Sequence, residues 1–133
     1  MSRVKIYAYD RCDTCRRAIK FLDGHNVAYD VVDITEQAPS TGELARMAEH
    51  VGDFRKLFNT SGQVYRALKL GEKVKTMTES EALRLLAGNG RLVKRPFVLT
   101  DEGGLVGFKE DQWKQTFGRG PAAFAGARAS RRS

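Results

Sequence analysis

This sequence has few of the residues that crosslink a chain or bind transition metals: its 133 residues include two cysteines and two histidines. It also has only three prolines and one tryptophan. It has no apolar run near the roughly 18–20 residues that span a bilayer, so we expect no membrane contact. The N-terminal segment MSRVKIYAYDRCD lacks the apolar core and the cleavage site of a secretory signal. The length suits one domain, and these absences predict a cytoplasmic protein.

The net charge of +7 is unevenly distributed. The last sixteen residues, 118–133, contain four arginines and no acidic residue, so residues 1–117 carry only +3. This tail is rich in Gly, Ala, Ser and Arg, and it has too few large side chains to offset the entropy cost of ordering. We therefore expect a basic, disordered tail. Such a tail can touch acidic partners, but a solvated terminus is the simpler interpretation, and we expect no direct binding to nucleic acid.

Hydrophobic periodicity predicts an α/β fold with a mixed sheet. Residues 4–9 and 27–34 alternate as strands do, and residues 10–24 between them repeat apolar positions every three or four residues, as in an amphipathic helix. A strand–helix–strand unit favours parallel pairing with a right-handed crossover. Residues 37–91 then show only helical spacing and predict an all-helical segment. Within it, Ser40 and Thr41 are good cap residues, and Thr78 and Glu81 have the spacing of a capping box.

Strand signals return near the C-terminus. Residues 97–99 and 105–108 are short apolar runs on either side of a DEGG turn at 101–104, which fits a two-stranded hairpin. Trp113 and Phe117 are four residues apart and predict the buried face of a last helix. The predicted order is therefore β-α-β, a helical segment, and β-β-α.

The two cysteines, Cys12 and Cys15, lie where the first predicted strand gives way to the first helix. The unpaired amide groups of a helix start favour an anionic sulfur, and Arg11, Arg16 and Arg17 add positive charge around it. Both effects favour the thiolate form of Cys12, which is the reactive form. At this spacing Cys15 can close a disulfide with Cys12, so the pair predicts thiol–disulfide chemistry.

Three other interpretations of the pair are open. A structural disulfide is disfavoured because so tight a loop restricts little of the unfolded chain and the context is cytosolic. A zinc site needs four ligands, and the spacing of His25 and His50 from Cys15 matches no standard structural site, so we expect no metal. An inert pair fits Cys15, on the apolar face of the helix, better than it fits Cys12.

A second candidate element is Lys94-Arg95-Pro96, directly before the returning strand. The guanidinium of Arg95 suits an anionic substrate or a thiolate. Proline is tolerated at a strand start, and a cis bond at Pro96 would bring the backbone close to the sulfur in a fold with a cysteine turn. A solvent-facing pair of Lys94 and Arg95 is the alternative.

Several ordered motifs resemble those of the arsenate reductase (ArsC)-like family, which includes the Spx-type regulators. They are YDRCDTCRRA at 9–18, NTSGQVYRAL at 59–68, VKRP at 93–96 and GFKED at 107–111. The resemblance spans about residues 3–117.

The resemblance implies a single domain at 1–117 with a thioredoxin-like (glutaredoxin-like) mixed sheet and an inserted all-helical subdomain. The core then comprises 1–36 and 92–117, and the insertion comprises 37–91. The resemblance also implies that Cys12 is the nucleophile and that Pro96 is a cis-proline facing it. Arg16 and Arg95 match positions that hold an oxyanion or stabilise the sulfur.

The differences from arsenate reductases are informative. Those members usually carry Ser at the position of Cys15 and use two further arginines to hold the oxyanion, whereas Asn59 and Gly107 stand near those arginine positions here. Two missing guanidiniums remove charged hydrogen bonds worth about 1.5–3 kcal/mol each, which argues against specific arsenate binding. The Cys-x-x-Cys form looks more like the Spx-type members, in which the pair is a redox switch.

Two hypotheses of different classes follow. The first is a thiol–disulfide oxidoreductase acting on a protein or small-molecule disulfide, or on an oxyanion, with no bound cofactor and with glutathione or thioredoxin as the electron donor. The second is a redox-sensing transcriptional regulator that binds the RNA polymerase α subunit, as the resemblance to Spx-type members implies. Arsenate reduction is a third, weaker hypothesis.

Overall fold

The computed structural model describes residues 4–101 and 103–117. The tail predicted at 118–133 lies outside the described residues. The chain divides into two units. Residues 34–94 form the helical unit, and residues 4–33 and 95–117 belong to the sheet unit. The helical unit therefore extends the predicted insertion at 37–91 by three residues at each end. No helix of the described ranges is both long and apolar enough to cross a membrane.

The described elements follow the predicted order. In chain order they are β1 (Val4–Ala8), α1 (Asp13–Gly24), β2 (Tyr29–Asp33), α2 (Thr41–Val51), α3 (Gln63–Ala67), α4 (Leu70–Lys73), α5 (Glu79–Gly88), β3 (Phe97–Thr100), β4 (Gly103–Val106) and α6 (Glu110–Phe117). Two short 3-10 helices lie at Phe54–Leu57 and Gly90–Leu92.

The sheet is mixed and has the strand order β2-β1-β3-β4. β1 pairs with β2 in parallel and with β3 antiparallel, and β3 and β4 form an antiparallel hairpin. The predicted mixed sheet and the parallel β1–β2 pairing are thus confirmed. β1 lies between two neighbours, which explains why four of its five residues are buried. Its C-terminal end at Ala8 leads directly into the turn at residues 9–12, which we call the cysteine turn because it ends at Cys12.

The core of the sheet unit joins one face of α1 to the buried side chains of α6. Ala18 and Leu22 of α1 and Trp113 of α6 each have 0% exposure, and Phe117 has 2%. Burial of such aromatic side chains is a large part of the stability of a small unit. The core thereby fixes the direction in which α1 leaves the cysteine turn.

The second strand of the hairpin lies earlier than the sequence predicts. The prediction placed it at 105–108, whereas β4 is Gly103–Val106, with Val106 paired to Phe97 and Gly103 paired to Thr100. The strand stops because Gly107 adopts a φ of 77°, a left-handed conformation that ends the ladder. The carbonyl of Gly107 accepts a hydrogen bond of 3.1 Å from the buried Trp113 Nε1, so this turn also anchors α6.

The helical unit contains two helix starts that the sequence indicates clearly. Ser40 caps α2 and Thr78 caps α5, each with a complete capping box whose glutamate, Glu43 or Glu81, bonds back to the cap. These four groups satisfy amide donors that a helix start otherwise leaves unpaired.

Candidate active site

Cys12 is the N-cap residue of α1. Its backbone is extended, with φ −90° and ψ 115°, and its side chain accepts the backbone N–H of Cys15, with 3.4 Å between Sγ and the nitrogen. The Cys12 amide itself donates to the carbonyl of Tyr9 at 3.0 Å, which closes the turn between β1 and α1. The sulfur therefore lies at the positive end of the helix dipole, next to the amide groups of the first turn. This placement matches the one predicted for the nucleophile.

The two arginines that follow the pair are engaged with an acidic residue of the same turn. Arg16 donates to the carbonyl of Asp10 at 3.0 Å and to the Asp13 carboxylate at 3.4 Å, and Arg17 lies 4.0 Å from Asp13. These side chains are well exposed, so each pair stabilises the chain only weakly. The prediction that both arginines surround the sulfur overlooked Asp13, whose carboxylate competes for them.

Cys15 is buried in the core on the same face of α1 as Ala18 and Leu22, with 1% exposure. Burial is the main reason why the pKa of its thiol rises to about 12, and a hydrogen bond to the Cys12 side chain and the charge of that sulfur act in the same direction. A backbone hydrogen bond at Tyr9 and the charge of Arg95 act in the opposite direction but are outweighed. Cys15 therefore stays protonated at neutral pH.

The three residues of the Lys94-Arg95-Pro96 segment differ in their exposure to solvent. Lys94 is exposed, whereas Arg95 is half-buried and Pro96 is buried. The guanidinium carbon of Arg95 lies 5.5 Å from the centre of the Tyr9 ring, a cation–π contact. The Arg95–Pro96 peptide bond is cis, the isomer that the resemblance implies.

Tyr9 is the residue of this region that sequence reasoning missed. The sequence predicts it as the end of the first strand and as the first residue of the YDRCDTCRRA motif. In the structure it lies in the turn after β1, and both its ring and its carbonyl contact the candidate site. An aromatic residue three positions before Cys12 does not by itself indicate this role, because alternation along a strand explains it equally well.

A cleft of about 660 Å³ lies beside the cysteine turn, between α1 and the ends of β1 and β2. Ala8, Ile19 and Val31 form its apolar lining, and Arg16 and Lys20 are among its charged residues. The volume is in the usual range for a small-molecule site. Neither cysteine is among the lining residues, so the cleft adjoins the sulfur pair and does not contain it.

The positions that distinguish arsenate reductases have local structural roles here. Gly107 donates its N–H to the carbonyl of Pro96 at 2.8 Å, and its positive φ makes a larger side chain unfavourable there. The backbone N–H of Asn59 donates to the Leu92 carbonyl at 2.7 Å within the helical unit. Among residues 4–101 and 103–117, no group of three or more His, Cys, Asp and Glu side chains is arranged to hold a metal ion.

Comparison with known proteins finds relatives that span most of the chain. A family model described as the ArsC family matches residues 7–116. The uncharacterized protein YusI of Bacillus subtilis (strain 168) is 46% identical over 112 residues, which are 84% of this chain and 95% of YusI. The global transcriptional regulator Spx of the same strain is 26% identical over 124 residues, 91% of this chain and 92% of Spx.

A solved structure gives the same result for the fold. An ArsC family related protein from Bacteroides fragilis is 43% identical to this chain and has a TM-score of 0.81, with 85% of this chain and 96% of that chain covered. The predicted thioredoxin-like fold is thereby confirmed.

Proposed function

This chain belongs to the ArsC family, and we propose that within the family it is a cytoplasmic thiol–disulfide oxidoreductase of the glutaredoxin-like type. The observation that carries the proposal is the asymmetry of the two sulfurs at the start of α1. The sulfur of Cys12 caps the helix and is partly exposed, whereas Cys15 is buried and protonated. One accessible sulfur at the positive end of a helix, next to one protected thiol, suits an attacking and a resolving cysteine.

The proposed reaction has two exchange steps. The Cys12 thiolate attacks one sulfur of a disulfide substrate, a mixed disulfide forms, and the other half leaves as a thiolate that takes up a proton from water. Cys15 then attacks the Cys12 sulfur, the Cys12–Cys15 disulfide forms, and the second half leaves with the proton that Cys15 gives up. The substrate gains two electrons and the cysteine pair loses them. An external thiol, glutathione or thioredoxin, then reduces the pair.

The nearby side chains receive different roles in this proposal. Arg95 is assigned to Cys12 and Cys15, because its positive charge acts to lower the pKa of the Cys15 thiol. Arg16 lines the adjoining cleft and is assigned to an anionic group of the substrate. Pro96 retains the role implied by the resemblance, facing Cys12. The substrate is a protein or small-molecule disulfide.

The proposal is tested by turnover of a small disulfide, such as hydroxyethyl disulfide, with glutathione or thioredoxin as the reductant. We expect the purified chain to turn over this substrate and Cys12→Ser to reduce the rate to background, because serine has no thiolate. Cys15→Ser is the matched control: it keeps the attacking sulfur and is expected to accumulate the mixed disulfide, visible by mass spectrometry. Equal rates for the wild type and Cys12→Ser would contradict the proposal.

A second candidate function is a redox-sensing regulator that binds the RNA polymerase α subunit. The observation that favours it is the similarity to the global transcriptional regulator Spx across 91% of this chain. Capture of purified α subunit on the immobilised chain, before and after oxidation, tests it. Binding that changes with oxidation supports the regulator, and the absence of binding in both states contradicts it. Arsenate reduction is a weaker candidate, because the positions of Asn59 and Gly107 supply no guanidinium.

A further inference from the structure

We propose that Tyr9 is a positioning residue for the second exchange step: its ring holds the guanidinium of Arg95 where the positive charge helps Cys15 to lose its proton. This inference rests on the oxidoreductase activity proposed above. It goes beyond that activity because it gives Tyr9 a role and assigns Arg95 to one step of the two.

Tyr9 contacts both Cys12 and Arg95. Its carbonyl accepts the amide hydrogen of Cys12 at 3.0 Å, and its ring centre lies 5.5 Å from the guanidinium carbon of Arg95. Tyr9 and Arg95 are both half-buried, so water screens their contact less than it screens an exposed pair. An arginine side chain has several rotatable bonds, and a ring that it stacks on restricts where its charge lies.

The charge of Arg95 is useful in the second step because Cys15 is difficult to deprotonate. In the resting chain, burial and the neighbouring Cys12 sulfur keep the proton on Cys15. The sulfur of Cys12 can carry no charge once it is part of a mixed disulfide, so the effect of that charge on the pKa of Cys15 is then removed. Burial then opposes deprotonation, while Arg95 and the backbone hydrogen bond at Tyr9 favour it. The charge of Arg95 therefore acts in the direction that the second step requires.

In this scheme the loss of the Tyr9 ring affects one step. During resolution a bond forms between the Cys15 and Cys12 sulfurs, the bond between Cys12 and the substrate sulfur breaks, and the proton of Cys15 ends on the departing thiol. Displacement of the Arg95 charge disfavours the anionic Cys15 sulfur that makes this attack. The first step uses the Cys12 sulfur at the helix start, where the amide of Cys15 is the hydrogen-bond donor.

The two steps can be separated with 5,5′-dithiobis(2-nitrobenzoate) as the probe disulfide. Excess probe reacts with the full-length reduced chain and releases one coloured thiolate when Cys12 attacks and a second when Cys15 resolves. We expect Tyr9→Leu to slow the second release by about two- to fivefold, the lower end of the range for a cation–π contact, and to leave the first release unchanged. Tyr9→Phe keeps the ring and is expected to match the wild type in both phases.

Two further variants test whether Tyr9 acts through Arg95. In an Arg95→Ala background, Tyr9→Leu is expected to add no further slowing, because there is no charge left to position. Phe54→Leu is the matched control, since it removes a similar ring, 5.4 Å from the Arg55 guanidinium carbon in the helical unit, and is expected to leave both phases unchanged.

The outcomes distinguish this inference from the proposed function. If the wild type releases no thiolate or only one per chain, the oxidoreductase proposal fails and this inference fails with it. If the wild type releases two and Tyr9→Leu leaves the second phase unchanged, or slows both phases equally, the inference alone is overturned. A slow Tyr9→Phe, or additive effects of Tyr9→Leu and Arg95→Ala, also overturns it, and circular dichroism of each variant shows that it is folded.

Discussion

The first turns of α1, α2 and α5 each have backbone N–H groups that lack a partner within the helix, but different side chains accept these hydrogens. Ser40 and Thr78 cap their helices with hydroxyl oxygens that lie 3.1 Å from the amide nitrogen they bond, and a glutamate closes each box. Cys12 caps α1 with a sulfur at 3.4 Å, and the residue in the position of the glutamate is Cys15. The caps of α2 and α5 are thus complete, whereas the cap of α1 is incomplete and carries two thiols.

The hydroxyl caps of α2 and α5 mainly stabilise their helices, whereas the sulfur cap of α1 places a reactive group at a helix start. A capping box satisfies two amide donors at once and stabilises a helix start. Sulfur is a weak acceptor, so Cys12 stabilises α1 less, but the same amide donors and the helix dipole then act on a group that forms covalent bonds. The absence of a glutamate also matters, because a carboxylate at that position would repel an anionic sulfur. The cap of α1 is therefore suited to hold a thiolate.

The largest expected effect concerns the two sulfurs of α1. Because burial raises the pKa of Cys15 to about 12, its thiolate fraction at pH 8 is about a thousandth of that of an ordinary thiol. We expect iodoacetamide to modify Cys12 alone in the folded chain. Cys12→Ser isolates Cys15, which should stay unmodified up to pH 9 and become reactive in concentrated urea. Peptide mass mapping measures both sites.

Modification of Cys15 at the rate of Cys12 in the folded chain would show that the two sulfurs are equally accessible. In that case the division into an attacking and a resolving thiol has no basis. Cys15→Ser provides the reference rate for Cys12 alone.

The features predicted correctly from the sequence are those that depend on neighbours along the chain. The spacing of Thr78 and Glu81 indicates a capping box, and the interval between Cys12 and Cys15 at a strand-to-helix transition indicates a thiol at a helix start. Local patterns are reliable there because the hydrogen bonds join residues three apart.

The features that were missed depend on contacts between distant segments or on competition within one turn. The contact of Tyr9 with Arg95 joins residues that are brought together only when β3 pairs with β1. The competition of Asp13 for Arg16 and Arg17 follows from side-chain geometry in the first turn of α1. The strand predicted at 105–108 was misplaced because an apolar run does not reveal that Gly107 turns out of the ladder.

A smaller effect is expected when the caps themselves are removed. Thr78→Ala should lower the free energy of unfolding by about 1 kcal/mol, the usual cost of losing a hydroxyl cap. Cys12→Ala should lower it by less, because the longer sulfur contact of 3.4 Å is the weaker bond. Urea unfolding measures both. Thr76→Ala is the control, because the exposed Thr76 hydroxyl donates to the Lys73 carbonyl at 3.4 Å and is not the N-cap of a helix. An equal or larger cost for Cys12→Ala would contradict the contrast between the two caps.

The smallest effect concerns the glutamate that closes the box of α5. The backbone hydrogen bond from Thr78, and then the one from its hydroxyl, hold the pKa of Glu81 below its ordinary value. A carboxyl whose pKa is lowered by folding stabilises the folded chain above its unfolded pKa, and this stabilisation is lost as the pH falls through the folded pKa. The wild type should therefore exceed Glu81→Gln in melting temperature at pH 6, and the difference should disappear towards pH 3.

The change should be smaller than that of Thr78→Ala, because glutamine still offers a carbonyl oxygen to the cap. Glu79→Gln is the matched control: it removes a charge from the same helical turn, where no cap hydrogen bond involves Glu79, and should change the pH profile less. A pH profile of Glu81→Gln that parallels the wild type between pH 3 and pH 6 would show that the charge of Glu81 adds nothing to its cap. The starts of α1 and α5 would then differ only in the atom that accepts the amide hydrogen, because the carboxylate charge would no longer distinguish them.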